Sequence, residues 1–257
     1  MAETFLLEAR EVSKYFGGVH ACESVSLGVR EGAIHAVIGP NGAGKTTFFN
    51  ALSGFYYPDG GRVVFAGEEI TRMPNWWRIK RGMSRTFQTP SIFPELTVRD
   101  NVMLGVRSKA GLAFRARPPS REQAAALEAR VDELLGFVNL ARFKERPVAE
   151  LSHGSQRLCE IAMSLSTEPR LVLLDEPMAG LAESETDRVI AVIRNLHDRL
   201  GLTVLFVEHN MRVVLGLAER ITVFDRGRVL AEGTPSEIAA NEMVRDAYLG
   251  KAVLEHV

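Results

Sequence analysis

The stretch Gly39–Thr47, GPNGAGKTT, constrains this chain more than any other. It fits G-x-x-x-x-G-K-[ST], the spacing of a loop that wraps phosphate groups. Gly39, Gly42 and Gly44 can adopt positive φ and let phosphate oxygens approach the backbone. Pro40, Asn41 and Ala43 fill the positions between them, and Thr47 closes the run. The loop N–H groups and the dipole of a following helix together make an anion site. Lys45 is placed to reach the β- and γ-phosphates, and the Thr46 hydroxyl to ligate Mg²⁺. The flanks agree: Ala33–Ile38 reads as a buried strand and Thr46–Leu52 as a helix. A purely structural glycine loop is the competing reading, and the strand–loop–helix setting argues against it. The motif alone specifies neither the nucleotide nor the reaction.

A length of 257 residues allows one large domain, or a domain with a subdomain. Hydrophobic residues make up 46%, ample for a buried core. The formal charge of −1 gives no electrostatic footprint for nucleic acid. Cys22 and Cys159 lie far apart and form no C-x-x-C pattern, as expected of small buried hydrophobes in a reduced, cytosolic protein. No apolar run reaches the ~18 residues of a membrane span. The N-terminal MAETFLLEAR does not read as a signal peptide.

Along the chain, Phe5–Val12 and Ser24–Val29 read as strands of an antiparallel layer, and Arg62–Ala66 as a short strand. Between the first two lies Lys14-Tyr15-Phe16-Gly17-Gly18, whose aromatic could stack on a purine or be a core residue at a strand end. Pro74–Arg81 reads as a helix whose adjacent Trp76 and Trp77 cannot share one face. One of them is free to meet a partner or to make a rim contact. From Leu96 to about Ser166 the pattern is helical, interrupted by the basic connector Lys109–Pro119. Ser120 with Gln123 fits a capping box. The helix it opens carries Leu127, Val131, Leu134 and Leu135 on one face and is expected to end at Gly136. A further helix follows Leu151–Arg157, with Leu158, Ile161, Ala162 and Leu165 in a stripe. Glu183–Leu200 is amphipathic and ends at Gly201. Thr203–Val207 reads as a buried strand, and Ile221–Asp225 with Arg228–Glu232 as a hairpin.

Leu171–Leu174 is a continuous apolar run of strand length that ends in Asp175-Glu176-Pro177. A strand buried on both faces has this composition. Carboxylates at its C-terminal end sit where open α/β sheets place ligands. Asp175 is then a candidate Mg²⁺ ligand, and Glu176 a candidate base toward an attacking water. The alternative is a solvated turn.

Five ordered motifs resemble those of the ATP-binding subunits of ABC transporters over nearly the whole length. They are GPNGAGKTT, TFQ ending in Gln88, LSHGS at Leu151–Ser155, LVLLDEP at Leu171–Pro177 and VEHN around His209. The resemblance implies an α/β fold: a P-loop NTPase core, in which a mixed sheet carries an antiparallel β layer, plus an inserted α-helical subdomain. Residues 1–90 and 167–240 would form the core, 91–166 the helical part with the signature motif, and 241–257 a helical tail. It implies ATP and Mg²⁺ as cofactors and ATP hydrolysis coupled to transport. Phe16 fits the position that stacks on adenine. Gln88 would touch Mg²⁺ or the attacking water, and His209 would position the γ-phosphate and that water. Ser152 and Gly154, with His153 and Ser155 of the same signature, would serve the nucleotide of the other subunit in a head-to-tail dimer. Lys45, Glu176, His209 and Gln88 would then form the catalytic set, and Thr46, Gln88 and Asp175 the metal set.

A narrower resemblance rests on Ser84–Gln88, Ala179–Leu181, Val207–Met211 and the ending AEGTPSEIAAN…AYLG, which look like the branched-chain amino-acid uptake subgroup. It implies membrane permease subunits, a second ATPase subunit (the same or a paralogue) and, indirectly, a solute-binding protein as partners. Its place would be the cytoplasmic face of the membrane. Alternative functions are a lipopolysaccharide-export ATPase, a slowly hydrolysing nucleotide switch, or a soluble ATPase acting on DNA or ribosomes. The last usually brings a coiled-coil insertion or a basic face, and neither is present. Three positions depart from the family pattern. Ser155 replaces Gln or Glu, His153 replaces Gly or Tyr, and Ala182 replaces an Asp or Asn that would couple the two sites across the dimer.

Overall fold

The structure is a computed structural model, described here for residues 5–86, 92–112 and 118–245. Gln88, part of the Lys109–Pro119 connector and the end of the tail lie outside these residues. The chain opens with β1 (Phe5–Phe16) and β2 (Val19–Arg30), then β3 (Ile34–Ile38) and α1 (Lys45–Ser53). There follow β4 (Gly60–Phe65), β5 (Glu68–Glu69), α2 (Asn75–Lys80) and β6 (Met83–Arg85). Three helices come next, α3 (Val98–Lys109), α4 (Arg121–Phe137) and α5 (His153–Leu165). The chain then alternates through β7 (Leu171–Asp175), α6 (Glu183–Leu200), β8 (Thr203–Val207), α7 (Met211–Leu217) and β9 (Arg220–Asp225). It ends in β10 (Arg228–Gly233), α8 (Pro235–Ala240) and α9 (Glu242–Val244).

Two sheets result. One is antiparallel, in the order β2-β1-β4-β5. The other runs β10-β9-β3-β8-β7-β6, parallel throughout except for β10 at its edge. Every residue of β3, β7 and β8 is buried, as the apolar runs require of strands covered on both faces. Side-chain alternation splits them between two cores. Ile34, Ala36, Val172, Leu174, Val204 and Phe206 face the helices α3 to α7. Val37, Leu171, Leu173, Leu205 and Val207 face the other way, toward Phe48, Phe49 and Leu52 of α1 and the antiparallel sheet. Helix α1 is therefore clamped between two sheets.

The helical stripes bury as their spacing requires, and Ser or Thr caps open α3, α4 and α5. The capping box at Ser120 and Gln123 is present. The expected end of α4 at Gly136 is corrected: the helix runs on to Phe137, and Asn139 at φ 59° makes the left-handed turn. Asn tolerates this region, and the turn buries Val138 and Leu140 on its two sides. The opening strands are also longer than expected. Lys14–Phe16 belong to β1, which reaches the Gly17-Gly18 turn through register shifts near Glu11 and Ser24. Trp76 is exposed, whereas Trp77 packs on the core beneath the antiparallel sheet.

His35 on β3 is buried, with Nε2 2.8 Å from the Thr222 hydroxyl of β9. Burial, with a smaller contribution from the Arg220 cation, pulls its pKa from 6.5 down to about 3. In that window the unfolded chain binds a proton that the fold excludes. Stability must therefore fall as pH is lowered, by up to about 1.4 kcal/mol per pH unit from this group. Denaturant unfolding of the parent and of His35→Gln between pH 6 and 4 measures the difference. Identical slopes would mean that His35 is protonated within the fold.

Candidate functional site

The turn between β3 and α1 is shaped by what surrounds it. A Cβ on Gly39 would lie 2.2 Å from the Phe224 carbonyl, and one on Gly44 2.1 Å from the Ala21 carbonyl. Both residues also hold positive φ, at 149° and 98°. Only glycine satisfies both conditions. Gly227 N–H, at the tip of the β9–β10 hairpin, donates to the Ala43 carbonyl and fixes the loop from outside (3.0 Å).

Helix α1 begins without a side-chain cap and without an acidic residue in its first turn. Its N-terminal donors and dipole are thus left for an anion. They open onto a cavity of about 440 Å³, lined by Asn41–Thr47 and Glu176, with Val19, His20, Ala21 and Arg226 on its other walls. Lys45 lies buried in it and donates to the Gly39 and Pro40 carbonyls (2.7 and 2.9 Å). Burial draws its pKa down, and the fields of Glu176 and Asp175 oppose the shift. Thr46 is exposed to the cavity side and Thr47 half-buried.

Asp175 ends β7 opposite Val207 of β8. Its Oδ2 accepts from Arg85 Nη2 (2.8 Å), and both side chains are buried. Glu176 follows at φ 47° and donates its N–H to the Val207 carbonyl (3.0 Å). A left-handed non-glycine costs on the order of 1–3 kcal/mol and persists only where its surroundings impose it. Here that turn sets Glu176 at the cavity wall. His209 lies just beyond the end of the adjacent strand, exposed, and is not among the residues lining the cavity.

Phe16 is 44% exposed, which excludes the core-aromatic reading. Its ring meets Tyr56 edge-on at 5.4 Å, and its strand partner Val19, not Phe16 itself, lines the cavity. Ser152–Ser155 also lie away from that cavity. Ser152 caps α5, accepting from Ser155 N–H (3.4 Å). Gly154 N–H donates to Glu185 of α6 (3.2 Å). The Ser152 hydroxyl and the Gly154 N–H hold the Glu185 carboxyl below its ordinary pKa range. Ala182 caps α6 with no side-chain bond.

Glu208 had no assigned role in the sequence. It follows a strand that is apolar after Thr203, much the signal that singles out Asp175. It is buried, and its carboxylate accepts from Met178 N–H (2.9 Å) and His209 N–H (3.2 Å). It thereby ties the turn after Glu176 to His209. Burial pushes its pKa up, against the N–H groups of Met178, His209 and Asn210. A second, smaller cavity of about 220 Å³ lies beyond α1, bordered by Phe55, Asn75, Ile79, Met83 and Arg85.

The sequence profile described as ABC transporter matches residues 22–179, and one described as branched-chain amino acid ATP-binding cassette transporter matches 228–253. The chain is 41% identical over 253 residues to the high-affinity branched-chain amino acid transport ATP-binding protein BraF of Pseudomonas aeruginosa, covering 96% of this chain and 98% of that one. The ADP conformation of MJ1267, an ATP-binding cassette of an ABC transporter, superimposes with a TM-score of 0.84 at 30% identity, over 96% of this chain and 100% of that one. The dimeric post-hydrolysis cassette MJ0796, bound to ADP and Pi, gives 0.75 at 26% identity, over 89% and 98%.

Glu208→Ala leaves buried N–H groups without an acceptor, at about 1–3 kcal/mol for each group. Thermal unfolding is expected to fall by several degrees, since about 1 kcal/mol corresponds to ~2–4 °C at this size. An unchanged midpoint would show that water replaces the carboxylate.

Proposed function

Because the chain belongs to the ABC transporter family of ATP-binding cassettes, we propose that it is the ATP-hydrolysing subunit of a membrane importer for branched-chain amino acids or a related small polar solute. The observation that carries this reading is the convergence on one cavity of the Gly39–Thr47 loop and Glu176, two stretches far apart in sequence. The named function of BraF supplies the solute class.

In this reading the loop N–H groups and Lys45 bind the β- and γ-phosphates of ATP. The Thr46 hydroxyl and the Asp175 carboxylate are hard oxygen donors that fit Mg²⁺, which is commonly held by one or two carboxylates together with substrate phosphates. The ion would supply charge neutralisation on the phosphates. Glu176 accepts the proton of the attacking water, and Gln88 and His209 orient that water and the γ-phosphate. Phe16, exposed beside Val19, stacks on adenine. Ser152 and Gly154, with His153 and Ser155, complete the site of a second ATPase subunit. The dimeric assembly of MJ0796 supports such a pairing. Nucleotide held between both chains favours the closed dimer, and hydrolysis removes that preference.

No helix among the described residues is long and apolar enough to cross a membrane. In this reading permease subunits form the membrane pathway, with a solute-binding protein delivering cargo to them. The chain would sit on the cytoplasmic face. The apolar cavity beside Phe55 and Ile79, with exposed Trp76 nearby on α2, supports a protein contact there.

Glu176→Gln is expected to retain ATP, to form a long-lived dimer and to lose about 10²–10⁴-fold in turnover. Phosphate release at the parental rate would remove Glu176 from the base role. Ser152→Arg is expected to leave ATP binding by the isolated chain intact while blocking turnover. Loss of binding in the monomer would argue against a site shared between chains.

A further inference from the structure

Arg85 is the last residue of β6, and its guanidinium is almost wholly buried. Nη2 donates to Asp175 Oδ2 (2.8 Å), while Nη1 donates to Asn50 Oδ1 (2.6 Å) and Ser53 Oγ (2.8 Å). One planar group thus joins the C-terminal end of β7 to α1. The spacing on α1 gives the contact its meaning. Thr46, Asn50 and Ser53 are four and three residues apart and therefore share one face of the helix. The helix face that presents the Thr46 hydroxyl is the face that Arg85 grips further along.

We propose that Arg85 is a positioning residue for the divalent cation, a brace that sets the separation of the Thr46 hydroxyl and the Asp175 carboxylate. The inference rests on the reading of these two groups as the metal donors. Arginine suits this task and lysine does not. A planar fork can bond a carboxylate on one side and two oxygens on the other, whereas an ammonium acts as a point charge. The guanidinium acts through Asp175 and α1, its bonded partners. Arg85 is not among the residues lining the phosphate-loop cavity and borders the smaller cavity instead. Asn50 and Ser53 orient the guanidinium in turn.

Residues that hold a metal's ligands in place typically change metal affinity about 10–100-fold when replaced. The test is the affinity of Mn²⁺, read by electron paramagnetic resonance, for the ADP complex of the full chain. Arg85→Lys is expected to weaken it about tenfold or more, with ADP affinity in EDTA unchanged. A purely structural role would lower the unfolding temperature and leave Mn²⁺ affinity within twofold of the parent, which would overturn the proposal. Breaking the buried ion pair can prevent folding, so Asn50→Ala serves as a second variant. It keeps the pair and removes one anchor on α1. It is expected to weaken Mn²⁺ binding in the same direction, and no change would again refute the brace. Asp175→Asn separates the two readings. If it too binds Mn²⁺ normally, the assignment of Asp175 as a metal donor fails, not the brace alone.

Discussion

Two backbone carbonyls, of Phe224 and Ala21, press on the turn between β3 and α1 so closely that no side chain fits at Gly39 or Gly44. This steric fit fixes the direction in which α1 leaves the sheet. It also turns the first N–H groups of α1 toward the cavity that Glu176 closes from the opposite wall. Glu176 reaches that wall because a left-handed residue, held by the Val207 carbonyl, bends the chain immediately after β7. The site is thus an outcome of strand placement. Displacing β7, β8 or β9 would separate groups that no local turn chemistry holds together.

Charge is distributed with the same economy. Asp175 ends β7 and Glu208 directly follows the neighbouring parallel strand β8, and both are buried. Two buried carboxylates so placed are tolerable only if each is satisfied differently. Asp175 faces a guanidinium, and Glu208 faces backbone N–H groups. Lys45 contributes a cation to the same neighbourhood, with its ammonium bonded to carbonyls of its own loop. Glu185 accepts from the Gly154 N–H in the first turn of α5, so the two predicted halves of a shared site are both internally bonded here.

Much of this was legible in the sequence because the relevant signals are local. The largely apolar stretches Ile34–Ile38, Leu171–Leu174 and Thr203–Val207 are buried on both faces, a pattern of strands in the middle of a covered sheet. The helix stripes and the Ser120 capping box are equally local. What escaped depends on partners remote in sequence. Glu208 becomes a tether only when Met178, 30 residues away, meets it, and Arg85 becomes a brace only when β6 lies beside β7. The end of α4 was misplaced because Gly136 is the commoner stop, while Asn139 had the buried neighbours that decided the matter. Phe16 could be assigned neither to core nor to surface until its strand was seen to run to the Gly17-Gly18 turn.

The place of β3 in the parallel sheet has a consequence for biosynthesis. It lies between β8 and β9, and the buried His35–Thr222 contact spans 187 residues of sequence. While the chain is emerging from the ribosome, the Gly39–Thr47 segment has neither of its flanking strands nor the Phe224 carbonyl that shapes it. Non-local pairing of this kind is slow, because loop closure precedes the contacts that reward it. The first half of the polypeptide carries the antiparallel sheet that covers one side of α1, but it leaves the exit tunnel with β3 and the other side of α1 lacking the strands that later bury them, an apolar surface prone to aggregation until the last third has been translated.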